Sequence, residues 1–220
     1  MKPGERFHPL ATPARPEHSS TSAFCQDRPS VPPRVVASEA RRPALIGAVT
    51  ARMVDAGAAL TVDLRIAARI LTRIFEVKAA AVSLVRCDAV RILGSHGLPC
   101  PRETARSTPR LRSPCAQVVI AGRPLVIEDL PAWHAGSDGP AARADGMTAY
   151  VGVPLRVQGD TVGTVCLLDD RRIGQAIALL PCLDRLGREI ALMIATGKTF
   201  DDDFYVAAAE ASRTRTRYRD

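Results

Sequence analysis

Residues 150–169 read Tyr-Val-Gly-Val-Pro-Leu-Arg-Val-Gln-Gly-Asp-Thr-Val-Gly-Thr-Val-Cys-Leu-Leu-Asp, and this stretch decides the fold. Through 151–157, valine and leucine alternate with other residues, a pattern with period two that predicts a strand. The Gln-Gly-Asp at 158–160 predicts a tight turn. The second strand, 161–168, is apolar on both faces, which is typical of the centre of a sheet. We therefore expect a central hairpin here.

Helical and extended patterns flank this hairpin. Apolar residues at helical spacing predict a helix over 44–57, followed by a second helix with one apolar face and a row of arginines on the other. Hairpins exclude an all-parallel sheet, so we expect an α/β (α+β) fold with a central antiparallel sheet of about five to six strands flanked by helices. The remaining predicted elements are a hairpin of 79–85 and 89–95, a helix over 114–121 that is capped by Ser113 and ends near Gly122, a strand over 124–129 and a closing helix over 178–197.

The two ends and one long connection differ in composition from this pattern. Residues 1–43 hold eight of the 17 prolines and no periodic apolar pattern, which predicts a disordered leader. Residues 199–220 are charge-segregated and are expected to form a tail, which leaves 44–198 as the domain. The connection over 130–146 is longer than usual in compact domains, and we expect a lid there.

Charge, hydropathy and cysteine content bear on whether the protein binds nucleic acid, contacts a membrane or forms disulfides. The formal charge is +7, but the basic residues are 27 Arg and three Lys, and Asn is absent. This skew is typical of GC-rich coding sequence, so we do not expect a nucleic-acid partner. No run of about 18 apolar residues and no export signal are present, so we expect a cytoplasmic protein, without membrane contact, that keeps its six cysteines as thiols.

Residues 58–198 resemble the GAF domain, a bacterial sensory module. The match is similar to the variety with Ser-x-Cys before the third strand, and it covers about two thirds of the chain. The motifs that carry it are Ser113-Pro-Cys-Ala-Gln-Val-Val119, Gly122-Arg-Pro-Leu-Val-Ile-Glu-Asp129, Ala149-Tyr-Val-Gly-Val-Pro-Leu155 and Gly159-Asp-Thr-Val-Gly-Thr-Val-Cys-Leu-Leu-Asp169.

The resemblance implies a small-molecule pocket between the sheet and a layer formed by 113–121 and 130–147. We expect Cys115, Gln117, Asp129, Trp133 and Tyr150 to contact a ligand there. GAF domains bind cyclic nucleotides, haem, tetrapyrroles or small metabolites, and many only dimerise. The cyclic-nucleotide signature needs an Asn, and the haem-ligating His is replaced by Ala-Arg-Ala at 142–144, so we predict no cofactor and no metal and leave the ligand unidentified.

Another GAF subtype, the free methionine sulfoxide reductase, uses neighbouring cysteines for catalysis. Cys87, Cys100 and Cys115 fall in the corresponding region, but their spacing does not match that subtype. Cys115 is the best single reactive candidate, because the first turn of a helix favours a thiolate. Cys166 and Cys182 are expected to pack as small hydrophobes.

We therefore expect a stand-alone GAF-like sensory or regulatory module that binds a small molecule or a partner protein and has no catalytic output. Helices 44–57 and 178–197 are expected to pair in a homodimer, and a separate output protein would receive the signal. Two alternatives stay open: a thiol-based redox enzyme resembling free methionine sulfoxide reductase, and an interaction scaffold without a ligand.

Overall fold

The computed structural model describes residues 33–98, 107–109, 113–135, 146–173 and 176–217. Within these ranges lie six helices and six strands. The helices are α1 (Pro33–Asp55), α2 (Gly57–Phe75), α3 (Pro114–Ala121), α4 (Leu130–Ala135), α5 (Ala176–Thr196) and α6 (Asp202–Arg217). The strands are β1 (Ala79–Val85), β2 (Ala89–His96), β3 (Ser107–Pro109), β4 (Leu125–Ile127), β5 (Ala149–Val157) and β6 (Asp160–Asp169).

The strands form one antiparallel sheet in the order β3-β2-β1-β6-β5-β4, which confirms the predicted fold class. All ten residues of β6 are buried, as expected for a central strand that is apolar on both faces. Gln158 and Gly159 join β5 to β6 with φ of 52° and 84°. Two successive residues with positive φ match the right-handed twist of paired strands, so this turn closes the hairpin tightly.

Helix α2 is amphipathic as the pattern indicated. Its buried face packs on β1 and β2, while Arg65, Arg69 and Arg73 are exposed. The helix approaches β2 closely at Gly94, where a Cβ atom would lie 2.6 Å from the backbone carbon of Leu64. The helix therefore requires glycine at this position of the strand.

The amino-terminal boundary differs from the expectation. Helix α1 begins at Pro33 and contains Pro43, so 33–43 are helical, whereas 1–32 lie outside the described residues. Two arginines tie this helix to the start of β6: Arg41 Nε is 3.0 Å from Asp160 Oδ2, and Arg42 Nε donates to the carbonyl of Thr161 at 3.1 Å. Proline content predicted disorder, but these charge-assisted contacts stabilise the helix from outside its own sequence.

The expected tail is also helical. In α6, Phe204, Ala207, Ala208 and Ala211 are buried, because the small alanines let the helix lie close to α2 and α5. Ion pairs from Arg185 to Glu210 and from Arg215 to Glu76 connect the middle and the carboxyl-terminal turn of α6 to the domain. Charge composition alone suggested a solvated segment, but one aromatic residue and a row of alanines are enough to bury a face when two helices already form a groove.

Three smaller differences from the predicted elements lie between residues 113 and 135. Strand β4 covers only Leu125–Ile127 of the predicted 124–129. Helix α3 starts and ends where predicted, but Ser113 makes no side-chain capping hydrogen bond. The connection expected to form a lid begins as the short helix α4, and residues 136–145 lie outside the described residues.

No single helix in the described part of the chain is long and apolar enough to cross a membrane. Two consecutive segments, Ala40–Asp55 and Gly57–Phe75, together have the length and apolar composition of such a helix, but the chain bends by 107° between them.

Candidate thiol site

Helix α3 covers the face of the sheet opposite α2 and α5. It is buried through Cys115, Ala116, Val118 and Val119, and it lies on β6, β5 and β1. These residues share an apolar cluster with Tyr150 and Cys166, which project from β5 and β6. The first turn of α3 therefore brings Cys115 onto the middle of the sheet.

Tyr150 and Cys115 are in direct contact. The Tyr150 hydroxyl donates a hydrogen bond to the Cys115 sulfur at 3.5 Å, and both side chains are buried. The tyrosine ring reaches this position by lying over Gly152, where a Cβ atom would be 2.7 Å from the ring carbon Cζ. Glycine at 152 therefore sets the direction of the tyrosine side chain.

A second thiol completes the site. Cys166 pairs with Gly152 across the β5–β6 hairpin, and its thiol lies within hydrogen-bonding reach of Cys115. Thr164 and Ser113 lie beside Cys115, and their hydroxyls also lower the pKa of its thiol. We call Cys115, Cys166, Tyr150, Thr164 and Ser113 the thiol cluster. Cys115 is 8% exposed and Cys166 is 3% exposed, so Cys115 is the more accessible of the two cysteines.

The cluster favours a thiolate at Cys115. Hydrogen bonds from Cys166, Thr164, Tyr150 and Ser113 outweigh burial and lower the pKa of the Cys115 thiol to about 5. Burial, followed by the negative charge on Cys115, raises the pKa of Tyr150 well above its usual value, so its hydroxyl keeps the proton that it donates. The sequence argument rested on the helix dipole, whereas the structure adds donors from the sheet and from the second thiol.

A thiolate beside a thiol supports two-electron sulfur chemistry. The thiolate is the nucleophilic form of cysteine, and a neighbouring thiol can resolve an oxidised sulfur as a disulfide. Thr164 is itself held by Ser83, whose Oγ lies 2.8 Å from Thr164 Oγ1. The Thr164 hydroxyl is therefore positioned by the strands β1 and β6.

The structure unites only part of the predicted site. Cys115 and Tyr150 meet, and Trp133 is half-buried against the same apolar cluster. Gln117 is exposed on the outer side of α3. Asp129 is also exposed, and its Oδ1 accepts a hydrogen bond from the Ala132 backbone N–H at 2.8 Å, at the start of α4.

Cys166 was not among the site residues predicted from the sequence. The expectation that it packs as a small hydrophobe accounts for its burial but not for its contact with Cys115. A signal was present in the sequence: in a hairpin that turns at 158–160, position 166 lies opposite 152, on the same face as Tyr150. Only the packing of α3 on the sheet shows that Cys166 lies beside Cys115.

Two further expectations concern ligands. A cavity of about 410 Å³ is found beside α1, lined by Arg42, Ile46 and Val85 among others. The roof residues 136–145 of the expected pocket lie outside the described residues. Among the residues that the structure describes, no three His, Cys, Asp or Glu side chains come together as a metal site.

Solved structures share this fold at low sequence identity. A type II free methionine-R-sulfoxide reductase from Thermoplasma acidophilum superposes with a TM-score of 0.52 at 11% identity, over 64% of this chain and 96% of that one. The GAF domain of a phosphoenolpyruvate-protein phosphotransferase from Coxiella burnetii gives 0.52 at 15% identity, over 71% and 95%. The corresponding Acinetobacter domain gives 0.50 at 13%, over 71% and 98%.

At these sequence identities, the similarity to solved structures shows the fold alone. The search of curated proteins found no match to this chain. The GAF domain model matches residues 60–194, which is more than half of the chain. That range runs from the first buried leucine of α2 to the last turn of α5 and includes the six described strands and the thiol cluster. The chain therefore belongs to the GAF domain family.

Proposed function

We propose that this chain is a regulatory GAF module whose input is oxidation of Cys115 and whose output is a change in partner binding. The observation that carries the proposal is the contact of Cys115 with Cys166 and Tyr150 beneath α3. A GAF fold is typical of regulatory modules, and this cluster supplies what a thiol sensor needs: a nucleophilic sulfur, a resolving thiol and a fixed donor.

The proposed chemistry uses hydrogen peroxide as oxidant. The Cys115 thiolate attacks one peroxide oxygen, the O–O bond breaks and hydroxide leaves, so Cys115 becomes a sulfenic acid. Cys166 then attacks the Cys115 sulfur, the S–S bond forms, and the oxygen leaves as water with the Cys166 proton. Peroxide is reduced by two electrons, and the two thiols are oxidised to a disulfide.

The disulfide would join α3 to the central strand. Helix α3 has eight residues and carries Gln117 exposed on its outer side. Asp129 and Trp133 lie on the next segments of the chain, and we propose these three residues as part of the surface that a partner or small ligand contacts. A covalent link from the first turn of α3 to β6 changes the position of that surface, and a separate protein would respond to the change. The module itself has no catalytic step in this proposal.

Mass spectrometry of the peroxide-treated full chain tests the proposal. We expect a disulfide between Cys115 and Cys166, reversible with dithiothreitol. Cys115→Ser and Cys166→Ala should both abolish it, while the matched variant Cys182→Ser, which removes a half-buried thiol of α5, should leave it unchanged. If Cys115 is oxidised no faster than Cys182, or if neither sulfur enters a disulfide, the proposal is wrong.

A second candidate function rests on the same pair of sulfurs. One protein of this fold is a free methionine-R-sulfoxide reductase. In such a reaction the sulfoxide oxygen would pass to the Cys115 sulfur and release the thioether, and Cys166 would displace that oxygen as water. Turnover of free methionine-R-sulfoxide with dithiothreitol, lost in Cys115→Ser and kept in Cys182→Ser, would assign the enzyme. A peroxide-driven disulfide without turnover favours the sensor.

The homodimer and the cytoplasmic location also remain proposals. Val54 in α1 and Leu192 in α5 are 73% and 51% exposed, and both lie on the helices expected to pair. Light scattering of the full chain, compared with Leu192→Glu, tests this pairing. A monomeric parent protein would remove dimerisation from the proposal and leave the thiol chemistry unaffected. A scaffold without any input is the remaining alternative, and it predicts no effect of peroxide on partner binding.

A further inference from the structure

A cavity of about 410 Å³ lies between α1 and the end of the β1–β2 hairpin. Its walls come from 42–50 of α1 and from 85–87, where β1 ends and turns. This volume falls within the usual range for small-molecule sites. None of the lining residues belongs to the thiol cluster, so the cavity is a separate feature of the fold.

The walls combine apolar surface with positive charge. Pro43, Ile46 and Val85 provide the apolar part, and the guanidinium groups of Arg42 and Arg86 provide the charge. No carboxylate is among the described lining residues, and Arg86 forms an ion pair with Asp88 beside the cavity, with Arg86 Nε 3.5 Å from Asp88 Oδ1. Arg42 is buried and is held in place through its Nε contact with the carbonyl of Thr161. A fixed positive charge at an apolar wall favours an anion, because low polarity strengthens electrostatic attraction.

Gly47 lines the cavity on the α1 side and is exposed. Glycine destabilises the interior of a helix relative to alanine, and α1 nevertheless carries it where the helix lines the cavity. A Cβ atom at Gly47 would meet nothing within 4 Å. Packing among the described residues therefore does not require the glycine, and a larger side chain here has room to extend over the cavity.

We propose that this cavity binds a small organic anion with an apolar body, such as a medium-chain carboxylate. The apolar body would lie against Ile46, Pro43 and Val85, and the carboxylate would lie near the arginines. This site is independent of the thiol chemistry proposed above. Cys87 lies at the cavity and is exposed, so its thiol can report occupancy.

Fluorescence titration of the folded full chain with anilinonaphthalene sulfonate, an apolar dye with one sulfonate, tests the site. Octanoate should displace the dye, and octanol should do so about tenfold less well, because it lacks the charge. Gly47→Leu should abolish binding by filling the cavity, while Gly47→Ala should retain it. Arg86→Gln should weaken binding about tenfold, and the matched charge change Arg65→Gln on the exposed face of α2 should leave it unchanged.

Alkylation of Cys87 gives an independent measurement. Octanoate should slow the reaction of Cys87 with N-ethylmaleimide, followed by peptide mass spectrometry, in the parent protein and in Arg65→Gln but not in Gly47→Leu. Equal displacement by octanol and octanoate, unchanged binding in Gly47→Leu, or equal effects of Arg86→Gln and Arg65→Gln would each overturn the proposal. Circular dichroism of every variant separates loss of binding from loss of the fold, and if Gly47→Leu is unfolded, the Arg86→Gln and Arg65→Gln comparison decides.

Discussion

The ring of Tyr150 occupies the space that a side chain would take at Gly152, two residues further along the same strand. A Cβ atom at Gly152 would lie 2.3 Å from the Tyr150 hydroxyl oxygen. The tyrosine can therefore lie along β5 and place its hydroxyl on the Cys115 sulfur. One missing side chain in the sheet thus positions a donor for a residue on the covering helix.

Gly152→Ala should move Tyr150 away from Cys115. The added methyl group overlaps the ring, and overpacking a buried site lowers the free energy of unfolding by about 1–3 kcal/mol. Chemical denaturation measures this loss. The control Gly47→Ala adds the same methyl group where nothing lies within 4 Å, so it should be neutral or stabilising. Equal destabilisation by both variants would contradict the packing described for Tyr150.

Alkylation of Cys115 should depend on pH with a midpoint near pH 5. The folded thiol has its pKa lowered to about 5, whereas an unfolded cysteine has a pKa of about 8.5. Rates of reaction with iodoacetamide, resolved by peptide mass spectrometry, measure the midpoint for Cys115 alone. A midpoint near pH 8.5 in the folded protein would show that the hydrogen bonds do not stabilise the thiolate.

Stability should follow the same titration. Because the folded pKa is lower than the unfolded one, the folded state binds the proton less tightly, and the stabilising contribution of Cys115 is complete above about pH 8.5. This contribution decreases on acidification and is lost as the pH falls through about 5. The difference in unfolding free energy between the parent protein and Cys115→Ser should therefore grow from pH 5 to pH 8.5. A constant difference would contradict a thiolate.

Cys166→Ala should raise the pKa of Cys115, because Cys166 provides the largest of the hydrogen bonds that lower it. The alkylation midpoint should move upwards, and Cys182→Ser should leave it in place. Tyr150→Phe should produce a smaller upward shift, since the tyrosine is a weaker contributor. A larger shift in Tyr150→Phe than in Cys166→Ala would reverse the order of these contributions.

Phe204→Ala should detach α6 from the domain. Phe204 is 0% exposed, and removing a buried phenylalanine side chain costs about 3–5 kcal/mol of unfolding free energy. The neighbouring Tyr205 is 53% exposed, so Tyr205→Ala should cost much less. Hydrogen exchange of the α6 amides, measured beside global denaturation, would show whether the helix opens by itself. Similar losses in the two variants would mean that α6 does not pack as described.

Much of the fold could be predicted because its signals are local. The period-two pattern of β5, the apolar run of β6 and the turn at Gln158 and Gly159 require only neighbouring residues. The bounds of α3 follow from Pro114 at its start and Gly122 in the left-handed conformation at its end. The predicted ends of the domain differ from the structure because α1 and α6 are stabilised by partners on distant elements. A pattern of neighbouring residues does not show such partners.

The same distinction between local patterns and long-range contacts applies to the candidate site. The pattern of residues in the chain determined the sheet, its central hairpin and the place of Cys115 in the first turn of a helix, because hydrophobic period and turn chemistry act over a few residues. Only the tertiary structure decided that Cys115 meets Cys166 and Tyr150, and that a cavity opens beside Gly47. Such contacts depend on where a helix settles on a sheet, and that position follows from the shapes of both packed surfaces together.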